Sequence, residues 1–151
     1  MSDADDDLRP PARLQALTSW QANKVSTIGA RTTARHMPLT ARSDFAVLAA
    51  LEEYGALSQA DLGRRLGLDR NDVSGIVGRL QAGGHVDRRV DPANRRRNLV
   101  TIQAGLRYLE QIQLNADRAQ DELLSALDAD ERTRLHALLA KVLTAHTPQS
   151  A

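Results

Sequence analysis

Apolar residues near the N-terminus recur at steps of three and four, and this spacing predicts two amphipathic helices. The first is expected over about residues 12–35, with polar gaps in its apolar seam, and Pro38 ends it. The second is expected from residue 40 or 41 to residue 54, where Gly55 stops it. Both helices precede the middle of the chain, where the pattern becomes shorter and more varied.

The three-to-four spacing returns near the C-terminus. Residues 104–127 carry an apolar side chain at nearly every such step, which predicts a helix roughly 35 Å long. A last helix is expected after Asp128, because Asp128 and Glu131 have the spacing of a capping box. The middle unit is too small to cover a helix of that length, so its distal half is expected to pack elsewhere.

That middle unit spans residues 57–101 and begins with two short helices. Ser58 and Asp61 predict the capped start of the first, and Gly67 predicts its left-handed end. Asp69 is the predicted N-cap of the second helix, which Gly83 and Gly84 stop. The second helix has the apolar stripe Val73, Ile76, Val77 and Leu80. Its other face is polar and small, which leaves room for a second macromolecule.

A hairpin is predicted after the second short helix. Residues 85–90 form its first strand, Asp91-Pro92-Ala93-Asn94 is a turn signal, and residues 98–102 return as the second strand. Arg95, Arg96 and Arg97 are expected at the tip. Two short helices followed by a hairpin predict a winged helix-turn-helix, whose second helix fits the major groove of duplex DNA. Arginines on the hairpin are expected near phosphates or in the minor groove.

Charge is concentrated in this unit. Residues 61–100 contain nine arginines and five aspartates, a net of +4, whereas the whole chain has a formal charge of +1. An arginine run alone is as well explained by a solvated surface, but its place after a helix-turn-helix pattern favours DNA binding.

The amino-acid composition excludes several classes of protein. The chain has no cysteine, which excludes disulfides and thiol-based redox sensing, and only four aromatic residues, which suits a helical core of leucine, alanine and valine. No apolar run is long enough to span a membrane and no signal peptide is evident, so a cytoplasmic protein is expected. Residues 1–10 have four aspartates and one arginine and predict a disordered acidic tail.

The middle unit resembles the MarR family of bacterial transcription regulators. Residues 57–68 are similar to that family's first helix-turn-helix helix, and residues 68–80 to its recognition helix. The most specific likeness is Asp91-Pro92-Ala93-Asn94-Arg95-Arg96, which is similar to the wing signature Asp-Pro-x-Asp-Arg-Arg. Asn94 stands where the family commonly has an aspartate that braces the wing arginines, and Gly75 stands where a larger side chain is usual.

The residues expected to contact DNA lie on the recognition helix and the wing. Those near the start of the helix are expected to approach base edges, and Gly75 to let the helix sit close. Arg79 is either a phosphate contact or part of a structural salt bridge, and one of the wing arginines can instead pair with Asp91. The predicted DNA-binding residues are Arg70, Asn71, Asp72, Ser74, Gly75, Arg79, Arg95, Arg96 and Arg97.

The resemblance further implies repression by operator occupancy, relieved by a small ligand that binds between the dimerisation helices and the winged helix. His36 and Tyr108 are the polar-aromatic candidates for that ligand site, and a structural role is the alternative for both. No cofactor is predicted. The four histidines show no metal-ligand spacing and Ser74 has no base near it in sequence, so an enzyme is not expected.

The predicted fold class is mainly α with a small β-hairpin wing, in which dimerisation helices flank a winged helix-turn-helix. The apolar terminal helices predict a two-fold homodimer, which presents two recognition helices to a pseudo-palindromic duplex. The expected divisions are a tail over residues 1–10, a dimerisation helix over 11–38, a DNA-binding domain over 39–103, dimerisation helices over 104–146 and a tail over 147–151. A winged-helix protein-interaction module, or a ligand-independent regulator with weakened DNA binding, is the alternative.

Overall fold

The structure, a computed structural model, describes residues 8–148, so the predicted acidic tail lies mostly outside the described residues, as do residues 149–151. The helices and strands follow in the order α1 (Ala12–Gln15), α2 (Thr18–His36), α3 (Leu39–Tyr54), β1 (Leu57–Ser58), α4 (Gln59–Leu66), α5 (Arg70–Ala82), β2 (Val86–Asp91), β3 (Asn94–Ile102), α6 (Gly105–Leu123) and α7 (Ala129–His146). The predicted class, mainly α with a small wing, is confirmed. None of the described helices is both long and apolar enough to cross a membrane.

The N-terminal helix is broken, contrary to the single helix predicted over residues 12–35. Leu17 adopts an extended conformation with φ −81° and ψ 119°, and it caps α2. Thr18 and Ser19, which are weak helix formers in a helix interior, then occupy the first turn of α2. The Gln21 side chain donates to the Gln15 carbonyl at 2.9 Å, which satisfies a backbone acceptor left free by the break.

The sheet has a third strand that the sequence pattern did not predict. Leu57 and Ser58 form β1, which pairs antiparallel with β3 through Leu57 and Val100. Ser58 is also the N-cap of α4, as predicted. The strand order is β1-β3-β2. The central strand β3 is therefore anchored on both sides, which attaches the hairpin to the helix-turn-helix.

The hairpin turn is also tighter than predicted. Asp91 pairs directly with Asn94, so only Pro92 and Ala93 lie in the turn. Strand β3 begins at Asn94, but its regular pairing with β2 starts at residue 98, as predicted, where Asn98 is paired with Val90. The three arginines lie between this pair and the Asp91–Asn94 pair, in an irregular part of β3 rather than at the tip of the turn. The cause is the Asp91 side chain, whose Oδ1 accepts from the Ala93 backbone N–H at 2.9 Å and closes the turn early.

The core lies between α3, the helix-turn-helix and the sheet. Four side chains of α5 are buried as the predicted stripe requires: Val73, Ile76, Val77 and Leu80. They pack with Val47, Leu48 and Leu51 of α3 and with Val100 of β3. Phe45 is partly buried against this cluster. The core thus fixes α5 on three sides and leaves its remaining face to solvent.

The terminal helices are poorly covered by their own chain. Helix α7 begins at the predicted Asp128–Glu131 capping box, yet none of its residues is buried. Helix α6 ends at Leu123, four residues before the predicted end, with Leu124 as its C-cap. Large apolar side chains on α2 and α7 are about half exposed or more, among them Leu17, Ile28, Leu138, Val142 and Leu143.

Candidate nucleic-acid interface

Local capping sets where the helix-turn-helix begins and turns. The Ser58 hydroxyl accepts from the Asp61 backbone N–H at 3.1 Å, and Asp69 Oδ1 accepts from the Asp72 backbone N–H at 2.8 Å. Gly67 turns the chain between the helices with φ 66° and ψ 33°, a left-handed conformation that favours glycine. A Cβ on Gly63 would lie 3.0 Å from the Leu68 carbonyl oxygen, so a small residue there permits the close approach of α4 to the turn.

The first two turns of α5 present a free polar surface. Arg70, Asn71, Asp72, Ser74 and Gly75 are all exposed. Within residues 8–148, the side chains of Arg70, Asn71 and Ser74 make no hydrogen bond or ion pair. A Cβ on Gly75 would meet nothing within 4 Å, so the helix surface is flat at that position. Free donors and acceptors beside a flat helix surface are what base-edge contacts require.

The wing is braced by two carboxylates that hold one arginine. Asp91 Oδ2 accepts from Arg97 Nε at 2.8 Å and lies 2.6 Å from Arg97 Nη2. Arg97 Nη1 also lies 3.8 Å from Asp61 Oδ2, which connects the wing to α4. The Ala93 backbone N–H, followed by the Arg97 guanidinium, lowers the pKa of Asp91. Arg97 is therefore the neighbour that pairs with Asp91, and Asn94 does not brace it.

Asp61 connects the wing to the helix-turn-helix. Its carboxylate accepts from the Ser58 hydroxyl at 2.7 Å and also binds Arg64. The Ser58 hydroxyl, followed by Arg64, lowers the pKa of Asp61, so the carboxylate is charged at neutral pH. Asn94 takes a local role instead, because its Oδ1 accepts from the Arg96 backbone N–H at 3.2 Å.

A cleft of about 690 Å³ is lined by α4 and its caps together with residues of the recognition helix and the wing. Arg70 and Ser74 line it from α5, and Arg96 and Arg97 line it from β3. Arg95 and Arg96 are exposed, and their side chains make no ion pair within the described part of the chain. The structure thus brings four of the predicted DNA-binding residues, from two separate elements, to one basic concavity.

Arg79 points away from this cleft. Its Nη2 lies 2.5 Å from Oδ1 of Asp44 on α3 and 3.3 Å from the Ser43 hydroxyl. Asp44 is buried, with 4% of the residue exposed, whereas the Arg79 side chain is 43% exposed. Of the two roles expected for Arg79, the geometry corresponds to the structural salt bridge.

The two candidate ligand residues, His36 and Tyr108, lie apart. His36 Nε2 lies 2.7 Å from Oε2 of Glu122, and Arg35 binds the same carboxylate. His36, followed by Arg35, lowers the pKa of Glu122. Since Glu122 follows Tyr108 by 14 residues on α6, the two sites are separated by about 21 Å along that helix. They do not form one pocket within the chain.

Tyr108 is held by structural contacts. Its hydroxyl donates to Asp44 Oδ2 at 2.9 Å, and its ring stacks on the His85 ring with centroids 4.4 Å apart. Asp44 is the residue that sequence reasoning missed. The available signal was its position on the apolar face of α3, three residues after Ala41 and four before Leu48, where a carboxylate needs partners.

Comparisons with known proteins agree with this geometry. A family model described as MarR family matches residues 38–97, which include α3, the helix-turn-helix and most of the wing. The HTH-type transcriptional repressor NicR of Pseudomonas putida is 32% identical over 100 residues, covering 66% of this chain and 63% of NicR. The match therefore spans somewhat less than two thirds of that relative.

Solved structures resemble nearly the whole chain. BpsR of Bordetella bronchiseptica, whose DNA binding is regulated by 6-hydroxynicotinic acid, is 26% identical with a TM-score of 0.74 and covers 92% of this chain and 100% of its own. The PcaV transcriptional regulator of Streptomyces coelicolor is 28% identical with a TM-score of 0.68, covering 86% and 97%. These proteins are transcriptional regulators rather than enzymes, which confirms the prediction that an enzyme is not expected.

Proposed function

The chain belongs to the MarR family of transcriptional regulators, and from that premise we propose that it is a repressor that binds a pseudo-palindromic operator as a homodimer. We propose further that a small aromatic acid releases it from DNA. Residues 39–103 are the proposed DNA-binding domain, and residues 11–38 and 104–146 the proposed dimerisation segments. A regulator that binds chromosomal DNA acts in the bacterial cytoplasm.

One observation carries the DNA-binding proposal: the cleft where the free side chains of α5 meet the free arginine of the wing. Arg70 and Ser74 reach it from the recognition helix, and Arg96 reaches it from β3. Side chains near the start of a recognition helix read base edges, and arginines of a wing bind phosphates or the minor groove. Asn71, Asp72 and Gly75 share the exposed surface of α5 and belong to the same contact. Arg95 adds a second wing cation that forms no ion pair within residues 8–148.

The homodimer proposal rests on the terminal helices. Helix α7 has 18 residues, none of them buried, and Val142 and Leu143 remain 58% and 67% exposed. A helix with an apolar stripe that its own chain leaves uncovered is stabilised when a second surface covers it. A second copy offers the same stripe, and two-fold pairing is the commonest solution. Such a dimer presents two α5 helices to half-sites about one helical turn apart.

The effector proposal rests on relatives rather than on a pocket. The structural match to BpsR covers 92% of this chain, and the DNA binding of BpsR is regulated by 6-hydroxynicotinic acid. A comparable aromatic carboxylate is therefore the proposed ligand class. His36 and Tyr108 remain the proposed contacts. His36 ends α2 beside Glu122 at the C-terminal end of α6, whereas Tyr108 lies near the start of α6, so a ligand that touches both would need the second copy to complete the site.

The test uses duplex DNA that flanks the chain's own reading frame. Fluorescence anisotropy should show saturable, salt-dependent binding by the wild type. Arg96→Gln should weaken binding about tenfold, as loss of a charge-assisted contact predicts. Arg118→Gln, an exposed arginine of α6, removes the same charge outside the cleft and should change little. Absence of wild-type binding at any salt concentration would favour the protein-interaction module instead.

The effector is tested in the same assay. Addition of 6-hydroxynicotinic acid and a panel of benzoic and hydroxybenzoic acids should lower the bound fraction and raise the melting temperature of the free protein. If the protein binds DNA but no acid in the panel changes that binding or the melting temperature, the DNA-binding proposal stands and the effector proposal is refuted.

A further inference from the structure

We propose that Arg88, on the first strand of the wing, is a further DNA contact that binds a phosphate beside the second half of the recognition helix. This proposal rests on the proposed DNA-binding function. The residue lies outside the run Arg95–Arg97, and neither the turn signature nor the helix-turn-helix pattern points to it.

The strand register places Arg88 against α5. Arg88 is paired with Val100 across β2 and β3, and Val100 is fully buried. Paired residues of neighbouring strands project from the same face of the sheet, so Arg88 emerges on the face that packs on the helices. A Cβ on Gly78 would lie 4.0 Å from Arg88 Nη2, so the guanidinium reaches the recognition helix at its glycine.

Among the described residues 8–148, Arg88 has no anionic partner. Its side chain makes no ion pair in residues 8–148, and its Nε is buried without an acceptor. The carboxylate of Asp87 is engaged elsewhere, because it accepts from the Arg88 backbone N–H at 2.9 Å and from Gln103 Nε2 at 3.4 Å. A partly buried guanidinium without a counter-ion is costly, and an incoming anion relieves that cost.

Other arginines of the winged helix differ in this respect. Arg79 is paired with Asp44, and Arg97 is paired with Asp91. Those two partly exposed cations are already neutralised by buried carboxylates. Arg88 is partly buried beside α5 and has no such partner in the part of the chain that the structure describes. It is therefore available to an external anion in a way that Arg79 and Arg97 are not.

The position along α5 identifies the anion as a phosphate. Asn71, Ser74, Gly75 and Gly78 follow one another at helical spacing on one surface of the helix. Gly78 lies seven residues after Asn71, about 10 Å along the axis. If the start of α5 enters a major groove about 12 Å wide, a cation at Gly78 lies near the bordering strand, where it meets phosphate oxygens.

The test compares two neighbouring arginines with opposite placements. Arg89 follows Arg88 on β2, so it projects from the other face of the sheet, where it is exposed. Arg88→Gln and Arg89→Gln therefore remove the same charge from opposite sides of one strand. Binding to the flanking DNA and to an unrelated duplex is measured by anisotropy from about 50 mM to about 200 mM salt.

Arg88→Gln should weaken binding to both duplexes alike, roughly threefold to tenfold, and reduce the slope of log K against log salt by about 0.9. Arg89→Gln should produce the smaller change in both quantities. Arg88→Lys, which keeps the charge, should retain the wild-type slope. Equal effects of Arg88→Gln and Arg89→Gln, or a wild-type slope in Arg88→Gln, would overturn the proposal.

A second variant is available if Arg88→Gln does not fold. Folding is checked by circular dichroism, and Arg88→Met, which keeps the apolar stem but removes the charge, then provides the same comparison. Loss of preference for one duplex, rather than a uniform weakening, would also overturn a phosphate contact. If the wild type binds no DNA, the proposed function itself has failed. A wild type that binds while Arg88→Gln binds equally well refutes only the role of Arg88.

Discussion

The Tyr108 hydroxyl on α6 donates a hydrogen bond of 2.9 Å to Oδ2 of Asp44 on α3. The other oxygen of the same carboxylate binds Arg79 of the recognition helix at 2.5 Å. Burial, and then the Asp44 carboxylate, raise the pKa of Tyr108 above its ordinary value, so the phenol stays protonated and remains a donor at neutral pH. One buried carboxylate thus connects the recognition helix to the helix proposed for dimerisation.

Removal of the phenolic hydroxyl should destabilise the fold. Tyr108→Phe keeps the stacking on His85 but takes one donor from Asp44, and a hydrogen bond to a charged group contributes about 1.5–3 kcal/mol. We expect a loss near the lower end, because Arg79 still pairs with the carboxylate. Urea unfolding measures it. Tyr54→Phe, on an exposed tyrosine, is the matched control and should leave the unfolding free energy unchanged.

Replacement of Arg79 should affect stability more than DNA binding. Arg79→Gln leaves Asp44 buried with a charge and one remaining donor, and loss of a partner from a buried pair costs about 3–5 kcal/mol. Because the Arg79 side chain is 43% exposed, we expect roughly half of that cost. Arg70→Gln should leave stability unchanged. An Arg79→Gln protein with wild-type stability and a flatter salt dependence of DNA binding would show that Arg79 contacts phosphate instead.

Acid should weaken the attachment of the wing. The pKa values of Asp61 and Asp91 are both lowered from 3.8 in the folded chain, so the unfolded chain binds more protons as pH falls below about 4. The stability that these two carboxylates contribute is fully present above their pKa in the unfolded chain. It is lost as the pH falls through their pKa in the folded chain. Unfolding free energies measured from pH 7 to pH 3 should therefore decline below about pH 4.

The contribution of Asp91 to that decline can be isolated. Asp91→Asn removes one of the two carboxylates that bind Arg97, so its stability should be lower at pH 7 and should change less on acidification. Asp130→Asn, on the exposed first turn of α7, serves as the control for loss of one carboxylate. If Asp91→Asn and the wild type lose the same free energy between pH 5 and pH 3, the lowered pKa of Asp91 does not stabilise the fold.

Two glycines should respond oppositely to alanine. Gly75→Ala introduces a Cβ that meets nothing within 4 Å, so it should stabilise α5 by about 0.5–1 kcal/mol. Gly105→Ala introduces a Cβ 2.6 Å from the His85 carbonyl oxygen and 2.8 Å from Leu48 Cδ2, so it should destabilise by about 1–3 kcal/mol. Thermal unfolding of both variants provides the comparison. A Gly105→Ala variant as stable as the wild type would contradict the close packing at Gly105, and a destabilised Gly75→Ala variant would contradict the open surface at Gly75.

The apolar stripe of α7 should control the oligomeric state. Leu138→Glu and Val142→Glu place charges where a second copy is proposed to pack, so each should shift the protein towards monomer in light scattering. Ala137→Glu introduces the same charge on the opposite side of α7 and should leave a dimer. A monomeric wild type, or equal dissociation by all three variants, would refute the proposed interface.

Local patterns were sufficient for much of the winged helix. The caps at Ser58 and Asp69, the turn at Gly67 and the buried stripe of α5 each depend on residues within one or two helical turns, and all were predicted correctly. Hydrogen bonds of capping residues and helical spacing are local, so tertiary contacts reinforced them rather than replaced them.

Strand β1 was missed because residues 57 and 58 pair with β3 some forty residues later. The helical spacing of residues 12–35 does not indicate which distant strand edge a segment will meet, and it also did not reveal the break at Leu17. The turn was mispredicted for a local reason, because the Asp91 side chain accepts from both Ala93 and Arg97.

By itself, the sequence determined the order of the long helices, the helix-turn-helix and the hairpin, the buried face of α5 and the concentration of arginine in the wing. Only the tertiary structure decided which of those arginines are free. Arg79 and Arg97 are neutralised by buried carboxylates from other elements, whereas no carboxylate in residues 8–148 pairs with Arg88 or Arg96. The sequence shows which residues are arginines and therefore carry a positive charge. Whether a carboxylate already pairs with that charge depends on contacts between segments far apart in the chain.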